Sequence, residues 1–413
     1  MPDKTVLPIP GISLRHLRSF AAVLEAGSVT AAGAALRRSP SSVSRSVALL
    51  EQGLGAALLD RSAFGLTPTV EGRLVAGRCA TIRAELDRCK TQLGRDHRAG
   101  LRDNAAVFAM LADLAHLRAL IAVDDHHSVQ RAADQLGLTQ PAVSYSLRQL
   151  EADLGLALFT RLTTGMAATP AGAAMSLCAR RIIAEIARIH DDIRSAGGIP
   201  SGIVRVGGLP YSRGVLLPDA IKMVLAREGG VEIRTVEGPI ETMISALRID
   251  EIDALICAYP ERRLLEGIEV EQIAEDQLGF FVSHDHPLAD RRRLALSNLT
   301  AHSFILPPSG SITRRMMEEF FAASGLPPPV GRAETSSSSL IRNLLRGSDY
   351  IAFRSMREFS EQIPDSRIVG LDIDMTLPTR TICVLRRQGS VPTAAVQVFL
   401  SALREVGRSV LAH

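Results

Sequence analysis

At 413 residues, with 46% apolar and 22% charged side chains, the chain can build two to four separately cored domains, which excludes a disordered protein. No run approaches the roughly eighteen apolar residues of a membrane span, and Met1 to Gly11 lacks a signal-peptide core, so a cytoplasmic protein with no membrane partner is expected. The net charge of +3 is unevenly placed: residues 1–195 carry 23 Lys and Arg against 18 Asp and Glu, and the remainder 24 against 26, an asymmetry that suits a front half touching phosphate.

The first patterned stretch, Leu14 to Gly72, occurs twice. Shifted by 100 residues, the chain matches itself without a gap from Leu14/Leu114 to Gly72/Gly172. Of these 59 positions 23 are identical, against roughly one in fifteen expected by chance. The matches include His16/His116, Leu17/Leu117, Ser28/Ser128, Val43/Val143, Ser44/Ser144, Leu50/Leu150, Glu51/Glu151, Leu54-Gly55/Leu154-Gly155, Arg61/Arg161 and Thr69/Thr169. In the second copy Leu114, Leu117 and Ile121, then Ala132, Ala133 and Leu136, then Val143, Leu147 and Leu150 recur at helical spacing, predicting three short amphipathic helices. Thr139 is expected to cap the third, with Pro141 in its first turn. Gln140, Ala142, Ser144, Tyr145 and Arg148 lie off its apolar stripe, a mixture of short and hydrogen-bonding side chains suited to a major groove. The periodicity alone also fits a generic helical bundle.

From Ser128 through Gly172 the chain resembles the winged helix-turn-helix of LysR-type transcriptional regulators. Ser128-Val129-x-x-Ala132-Ala133 is similar to that family's second helix and Gln140-Pro141-Ala142-Val143-Ser144 to its recognition helix. Leu154-Gly155-x-x-Leu158-Phe159-x-Arg161 and Thr169-Pro170-Ala171-Gly172 are similar to its wing and exit. The resemblance implies DNA contact by Thr139, Gln140, Pro141, Ala142, Ser144, Tyr145 and Arg148, and in the first copy by Ser39, Ser41, Ser42, Ser44 and Arg45. Thr163 and Thr164 stand where the family often has a basic wing residue, which implies weaker phosphate contact there. Most members carry one head; this chain carries two. Both are expected to bind DNA with different base preferences, since Arg45 and Ala48 stand where the second copy has Tyr145 and Arg148. The other reading makes the first head architectural.

A long helix follows each wing. Gly72 to Leu93 presents Leu74, Ile82, Leu86, Cys89 and Leu93, and Pro170 to Ile193 presents Met175, Ile182, Ile186, Ile189 and Ile193. In the resembled family this linker helix pairs antiparallel with that of a partner chain. Here one chain owns two, and the connector Gly94 to Asp113 could flexibly span about 25 Å. The two linkers are therefore expected to pair within one chain; the competing arrangement pairs like copies between chains. Ser195 to Gly202 is a hinge by composition.

Beyond it the pattern alternates: strand Ile203–Gly208, helix Leu216–Glu228, strand Val231–Val236, helix Ile240–Arg248 and strand Asp253–Ala258, predicting a mostly parallel sheet with ligands at strand C-termini and helix N-termini. This half resembles the family's two-lobed effector-binding domain, similar to periplasmic binding proteins. The resemblance rests on Leu216-Leu217-Pro218, Asp250 to Ile256 and His286-Pro287-Leu288-Ala289, with Leu278–Val282 as the crossing strand and Thr393–Val410 as the returning helix. Arg346 to Phe353 departs from the family's glycine-rich turn.

Four polar stretches precede predicted helices here: Tyr211-Ser212-Arg213, Glu237-Gly238-Pro239, Ser309 to Arg314 and Thr335 to Ser339. Free N–H groups and hydroxyls at helix starts favour a carboxylate or phosphate. At the positions where the family lines its cleft they point to Ser212, Gly238, Ser311, Thr313, Arg314 and Ser336, with Arg314 as counter-charge. His284-Asp285-His286 and His126-His127 lack a third ligand at useful spacing, so no metal is expected, and no catalytic motif or cofactor fingerprint occurs. The five cysteines are scattered and read as buried free thiols.

The expected class is α plus α/β, with two winged helix-turn-helix domains (12–70 and 114–170), linker helices (71–93 and 171–196), a connector (94–113), a hinge (197–202) and a two-lobed effector-binding domain (203–413). Lobe I takes about 203–279 and 391–413, and lobe II about 280–390. The expected function is a non-enzymatic transcriptional regulator. Its partners would be double-stranded DNA, a small anionic effector, further copies of the chain and RNA polymerase. The alternative is an architectural DNA binder with a ligand-free oligomerisation domain.

Overall fold

The computed structural model describes residues 12–62, 65–96, 114–209, 212, 214–360 and 367–411. The chain divides into two compact units, residues 1–202 with 389–394, and residues 203–388 with 395–413. Most of the connector, Met1 to Gly11, Tyr211 and Arg213 lie outside the described residues.

The front unit builds one head from α1 (Leu14–Ala26), α2 (Val29–Leu36), α3 (Pro40–Leu54) and the hairpin β1 (Leu59–Ser62) and β2 (Gly65–Pro68), followed by the linker α4 (Val70–Asp96). The second head repeats this with α5 (Leu114–His126), α6 (Val129–Leu136), α7 (Gln140–Leu154), β3 (Phe159–Leu162), β4 (Gly165–Ala168) and the linker α8 (Pro170–Ser195). Ser28 and Ser128 cap the second helix of each head, and Ser39 caps α3. Thr139 is the N-cap residue of α7, as expected, with extended backbone, but its hydroxyl makes no capping bond.

The positions identical between copies do identical structural work. Glu51 and Glu151 each accept two backbone N–H groups at the start of the wing, from Leu58 and Leu59 and from Leu158 and Phe159. Thr69 and Thr169 each donate to the carbonyl of Ala57 or Ala157 and accept from Gly72 N or Gly172 N, starting the linker helix beneath the wing. Val43, Leu50 and Leu58 fill one head and Val143, Leu150 and Leu158 the other, all fully buried.

The linker helices pair with each other within the chain and run antiparallel: Arg78 of α4 meets Glu185 and Asp192 of α8, whereas Cys89 meets Ala174 and Met175. Val75, Ile82, Leu86 and Leu93 pack in one core with Met175, Ile182, Ile186 and Ile189. At the expected hinge the Ser195 hydroxyl bonds both the N–H and the carbonyl of Ser201, closing a tight turn from helix into strand.

The rear unit contains β5 (Ser201–Gly208), α9 (Leu216–Arg227), β6 (Gly230–Val236), α10 (Ile240–Arg248), β7 (Ala254–Ala258), β8 (Ile268–Ser283), β9 (Phe304–Leu306), α11 (Ile312–Ala323), β10 (Gly331–Glu334), α12 (Ser338–Leu345), β11 (Ile351–Ser355), α13 (Met356–Ser360), β12 (Ile368–Gly370), β13 (Thr379–Arg387) and α14 (Ala394–Leu411). The strands lie in the order β10-β9-β11-β8-β13-β7-β5-β6, with β12 also on β8.

The sheet is mixed rather than mostly parallel. Strand β8 is long enough to serve both lobes, and it pairs antiparallel with β13 along its first half and with β11 and β12 along its second. Because β13 also pairs with β7, the chain returns to lobe I at Thr379, earlier than the expected boundary at 391. Lobe II closes over an aromatic cluster in which Phe280 lies 4.8 Å from Phe353 and 6.0 Å from Phe321, centroid to centroid. The departure at Arg346 to Phe353 resolves into an ordinary device: Gly347 turns the chain at φ 69° between α12 and β11.

Candidate DNA interface and effector site

Each third helix buries one stripe and leaves a polar face outward. On α7, Val143, Leu147, Leu150 and Leu154 are buried, while Gln140, Pro141, Ala142 and Arg148 are exposed, as is Thr139 just before it. Tyr145 is 61% exposed, far more than a tyrosine with a packing role would be. Gln140 donates to the half-buried Ser144 hydroxyl one turn on, which orders the leading edge of the helix. On α3, Ser39, Ser41 and Arg45 are exposed and Ser44 half-buried.

Ser42 differs. Its hydroxyl accepts from Arg38, whose guanidinium also donates to Ser19 and Ser46, at 2.7, 2.9 and 3.1 Å respectively. This clamp joins α1 to α3 and uses Ser42 internally. The second head has Leu138, Ala119 and Ala142 at the matching places and no such clamp. The wing tip at Thr163 and Thr164 is exposed and uncharged.

Removing Gln140 and Arg148 together, as Gln140→Ala/Arg148→Ala, is expected to weaken specific DNA binding more than nonspecific binding, by about 1–3 kcal/mol for each base edge no longer read. Equal reductions in mobility-shift titrations on operator and random DNA would remove these residues from base readout.

In the rear unit, the crossing strand and the residues around it bring a charged cluster between the lobes. Asp276 of β8 accepts from Arg380 of β13 at 2.8 and 2.7 Å and from the Ser355 hydroxyl at 2.6 Å. Arg380 in turn donates to the Thr313 hydroxyl at the start of α11, at 2.7 Å, so one guanidinium joins lobe I to lobe II. Beside it Arg354 donates to Ser338 at 2.8 Å and pairs with Glu358 at 3.3 Å, and the Ser338 hydroxyl donates to Glu358. Burial pushes the Asp276 carboxyl above its usual range against the opposing pull of Arg380, and burial lowers the Arg354 guanidinium. The Nε of Arg354 is buried and has no acceptor among the described residues.

The expected effector residues separate into two groups. Thr313 joins this cluster, and Ser311 caps α11 by accepting from Arg314 N. Arg314 is held by Glu318, with Glu334 at 4.0 Å, while its buried Nη1 makes no hydrogen bond among the described residues. Ser336 is exposed just before α12, where Ser337 rather than Ser336 supplies the cap. Gly238 is half-buried beside Met243. Ser212 is a correction: it is 1% exposed and its hydroxyl lies on the carbonyls of Leu209 and Ile256, so it holds its own turn instead of offering a donor to the cleft.

Sequence reasoning missed Arg354, Arg380, Asp276, Glu358 and Ser338. A signal was present for one of them, since Arg354 interrupts the otherwise apolar run Ile351-Ala352-Phe353 and a charge on a buried strand needs a partner.

Two matches to one family pattern, described as the bacterial regulatory helix-turn-helix protein of the lysR family, cover residues 14–73 and 114–173. The pattern described as the LysR substrate binding domain covers residues 197–408, more than half of the chain. The chain belongs to the LysR family of transcriptional regulators. Both heads are thus genuine family domains, and the regulator's curated relatives are transcriptional regulators, not enzymes.

The regulator is 29% identical over 394 residues to the HTH-type transcriptional regulator GalR of Pseudomonas putida, covering 95% of this chain and 97% of that protein, an alignment too complete to omit either head. It is 28% identical over 290 residues to the RuBisCO operon transcriptional regulator of Allochromatium vinosum, covering 70% of this chain and 95% of that one. Among solved structures, full-length CbnR complexed with its target DNA gives a TM-score of 0.52 at 21% identity, covering 71% of this chain and 99% of that one. A full-length OxyR variant from Pseudomonas aeruginosa gives 0.53 at 19% identity, covering 73% and 96%. These two likenesses concern the fold.

The five cysteines are free thiols, four of them buried. Burial pushes Cys79 and Cys257 up to about 12 and Cys383 up to about 11, so all three are poor nucleophiles. His286 accepts from Leu288 N at Nδ1, so its Nε2 carries the proton donated to the Asp349 carbonyl, and burial lowers its pKa; the ring is structural and neutral. Among the described residues no three His, Cys, Asp or Glu side chains form a metal cluster, and no single helix is long and apolar enough to cross a membrane.

Proposed function

We propose that this regulator reads an operator of two unequal half-sites with the two heads of one chain, and that a small anionic effector, a carboxylate in the simplest case, binds between the lobes of its rear unit to set DNA affinity or geometry. The observation that carries the effector reading is the pair Arg354 and Arg380. Both are largely buried among hydroxyls at the lobe junction, Arg380 joins the lobes, and Arg354 has a donor still to be satisfied. Leaving a buried donor unmade costs about 1–3 kcal/mol, which an oxygen-rich ligand would recover. An effector that ties Arg380 differently in the open and closed lobes would shift the population between them.

The test is thermal unfolding of the full-length chain against a panel of small carboxylates. A ligand at one hundred times its Kd should stabilise the rear transition by about 2.7 kcal/mol. Arg380→Ala should abolish that shift while leaving DNA binding without ligand nearly intact. No stabilisation by any anion would favour the architectural reading, in which the rear unit serves assembly alone. Unequal half-sites are read by footprinting: Gln140→Ala/Arg148→Ala should lose protection over one half-site only. Symmetric loss over both would count against two different heads acting together.

A further inference from the structure

The contact between the linker helices is charged at its centre, and the charges differ between the two copies. Arg78 of α4 is 2% exposed. Its Nε and Nη2 reach Asp192 at 2.6 and 3.1 Å, and its Nη1 reaches Glu185 at 2.8 Å. On the other side of the crossing, Glu85 of α4, also 2% exposed, accepts from Arg181 of α8 at 3.2 Å. Arg188 adds a bond to Glu185 along α8.

The repeat makes the alternatives explicit, because position 78 corresponds to 178, 85 to 185, 92 to 192 and 81 to 181. At these places α4 carries Arg78, Glu85, Gln92 and Thr81, and α8 carries Cys178, Glu185, Asp192 and Arg181. An α8·α8 pair between two chains would put Cys178 where Arg78 stands and leave each Asp192 buried without a guanidinium, while Glu185 would keep Arg188 and meet Arg181 of the other helix. An α4·α4 pair would match Arg78 with Glu85 reciprocally, Glu85 keeping Arg88 as well, and would put the neutral Gln92 in place of Asp192, so that Arg78 has one carboxylate instead of two. Only the mixed pair gives Arg78 two carboxylates and gives Asp192 a guanidinium. Removing one partner from a buried ion pair is strongly unfavourable, so the mismatch discriminates even where the apolar stripes are interchangeable.

We propose that Arg78, Glu85, Arg181, Glu185 and Asp192 form a pairing code that favours α4 with α8 and bars α8 from pairing with the α8 of another copy of the chain. The helix that other family members use for pairing with a second chain is then used up internally. Two copies of this regulator associate through other surfaces, and each copy delivers its two unequal heads as one fixed unit.

The antiparallel contacts centre the crossing on Ile82 and Ile182, both buried. The full-length chain with Cys89→Ala/Cys178→Ala, to remove the native thiols nearby, is the background. Ile182→Cys alone, under mild oxidation with copper phenanthroline, should stay at single-chain mass on a non-reducing gel, whereas Ile82→Cys/Ile182→Cys should close an internal disulfide of altered mobility. A covalent double-mass species from Ile182→Cys would mean that α8 meets α8 and would overturn the proposal.

The charges themselves are tested by reversal. Arg78→Glu should lower the front-unit transition by roughly 10 °C, and adding Glu185→Arg/Asp192→Arg to the same chain should restore most of it. Mixing a chain bearing Arg78→Glu with one bearing Glu185→Arg/Asp192→Arg should also restore it, now through exchanged helices that cross-link between chains when each carries one of the two cysteines. If the triple reversal stays as unstable as the single one, or if the mixture never exchanges, the charges do not choose the partner.

Discussion

Replacing Arg78 by leucine is expected to cost the front unit about 3–5 kcal/mol, because Glu185 and Asp192 would keep their buried positions and lose the guanidinium between them. A surface ion pair of the same length is worth under about 1 kcal/mol, so the size of the loss separates a buried network from a decorative one. The double variant Arg78→Met/Asp192→Leu should recover most of the stability, since Glu185 retains Arg188 and no carboxylate is then left without a partner. Scanning calorimetry of the full chain reads both: the front transition should fall in the single variant and return in the double, with the rear transition unchanged. A single variant within about 1 kcal/mol of the parent would mean that the helices separate enough to hydrate the two acids.

Gly172→Ala is expected to unfold the second head. A Cβ at this position would stand 1.9 Å from the carbonyl oxygen of Leu158 and 2.9 Å from its carbon, and both are backbone atoms that no side-chain rotation can move. The helix start and the wing would have to part, breaking the Thr169 cap that joins them, at a cost of about 3 kcal/mol or more. Gly77→Ala, on the linker of the first head, is the control. Nothing lies within 4 Å of its added methyl, and an alanine in mid-helix should stabilise by roughly 0.5–1 kcal/mol. The expected pattern is specific DNA binding lost in Gly172→Ala and kept in Gly77→Ala. Wild-type binding by Gly172→Ala would show that the wing does not sit on the linker helix in solution.

What the sequence determined by itself was everything carried by short-range pattern. Apolar spacing at three and four residues placed the three helices of the second head and both linkers, and the repeat carried the same three helices to the first head. The repeat marked in advance the residues whose roles are now visible, with Glu51/Glu151, Thr69/Thr169 and Gly72/Gly172 tying wing to helix in each copy. These features are legible because a helix buries one face whatever lies opposite, and because a close backbone approach admits glycine alone.

The tertiary structure decided which face meets which. Arg78 reads as an ordinary solvated arginine until Asp192, 114 residues later, is brought to it. The alternating pattern after residue 203 suggested a parallel sheet; the crossing strand at Leu278–Val282 was expected from the resemblance alone, and nothing local showed that β13 would turn back to lobe I at Thr379. Ser212 looked like a donor to the cleft until Leu209 and Ile256 supplied its acceptors, and Arg354 and Arg380 became one charged cluster only when α11, α12 and β8 converged on them. A buried charge takes its meaning from its partner. That partner is set by chain topology, which short-range periodicity does not encode.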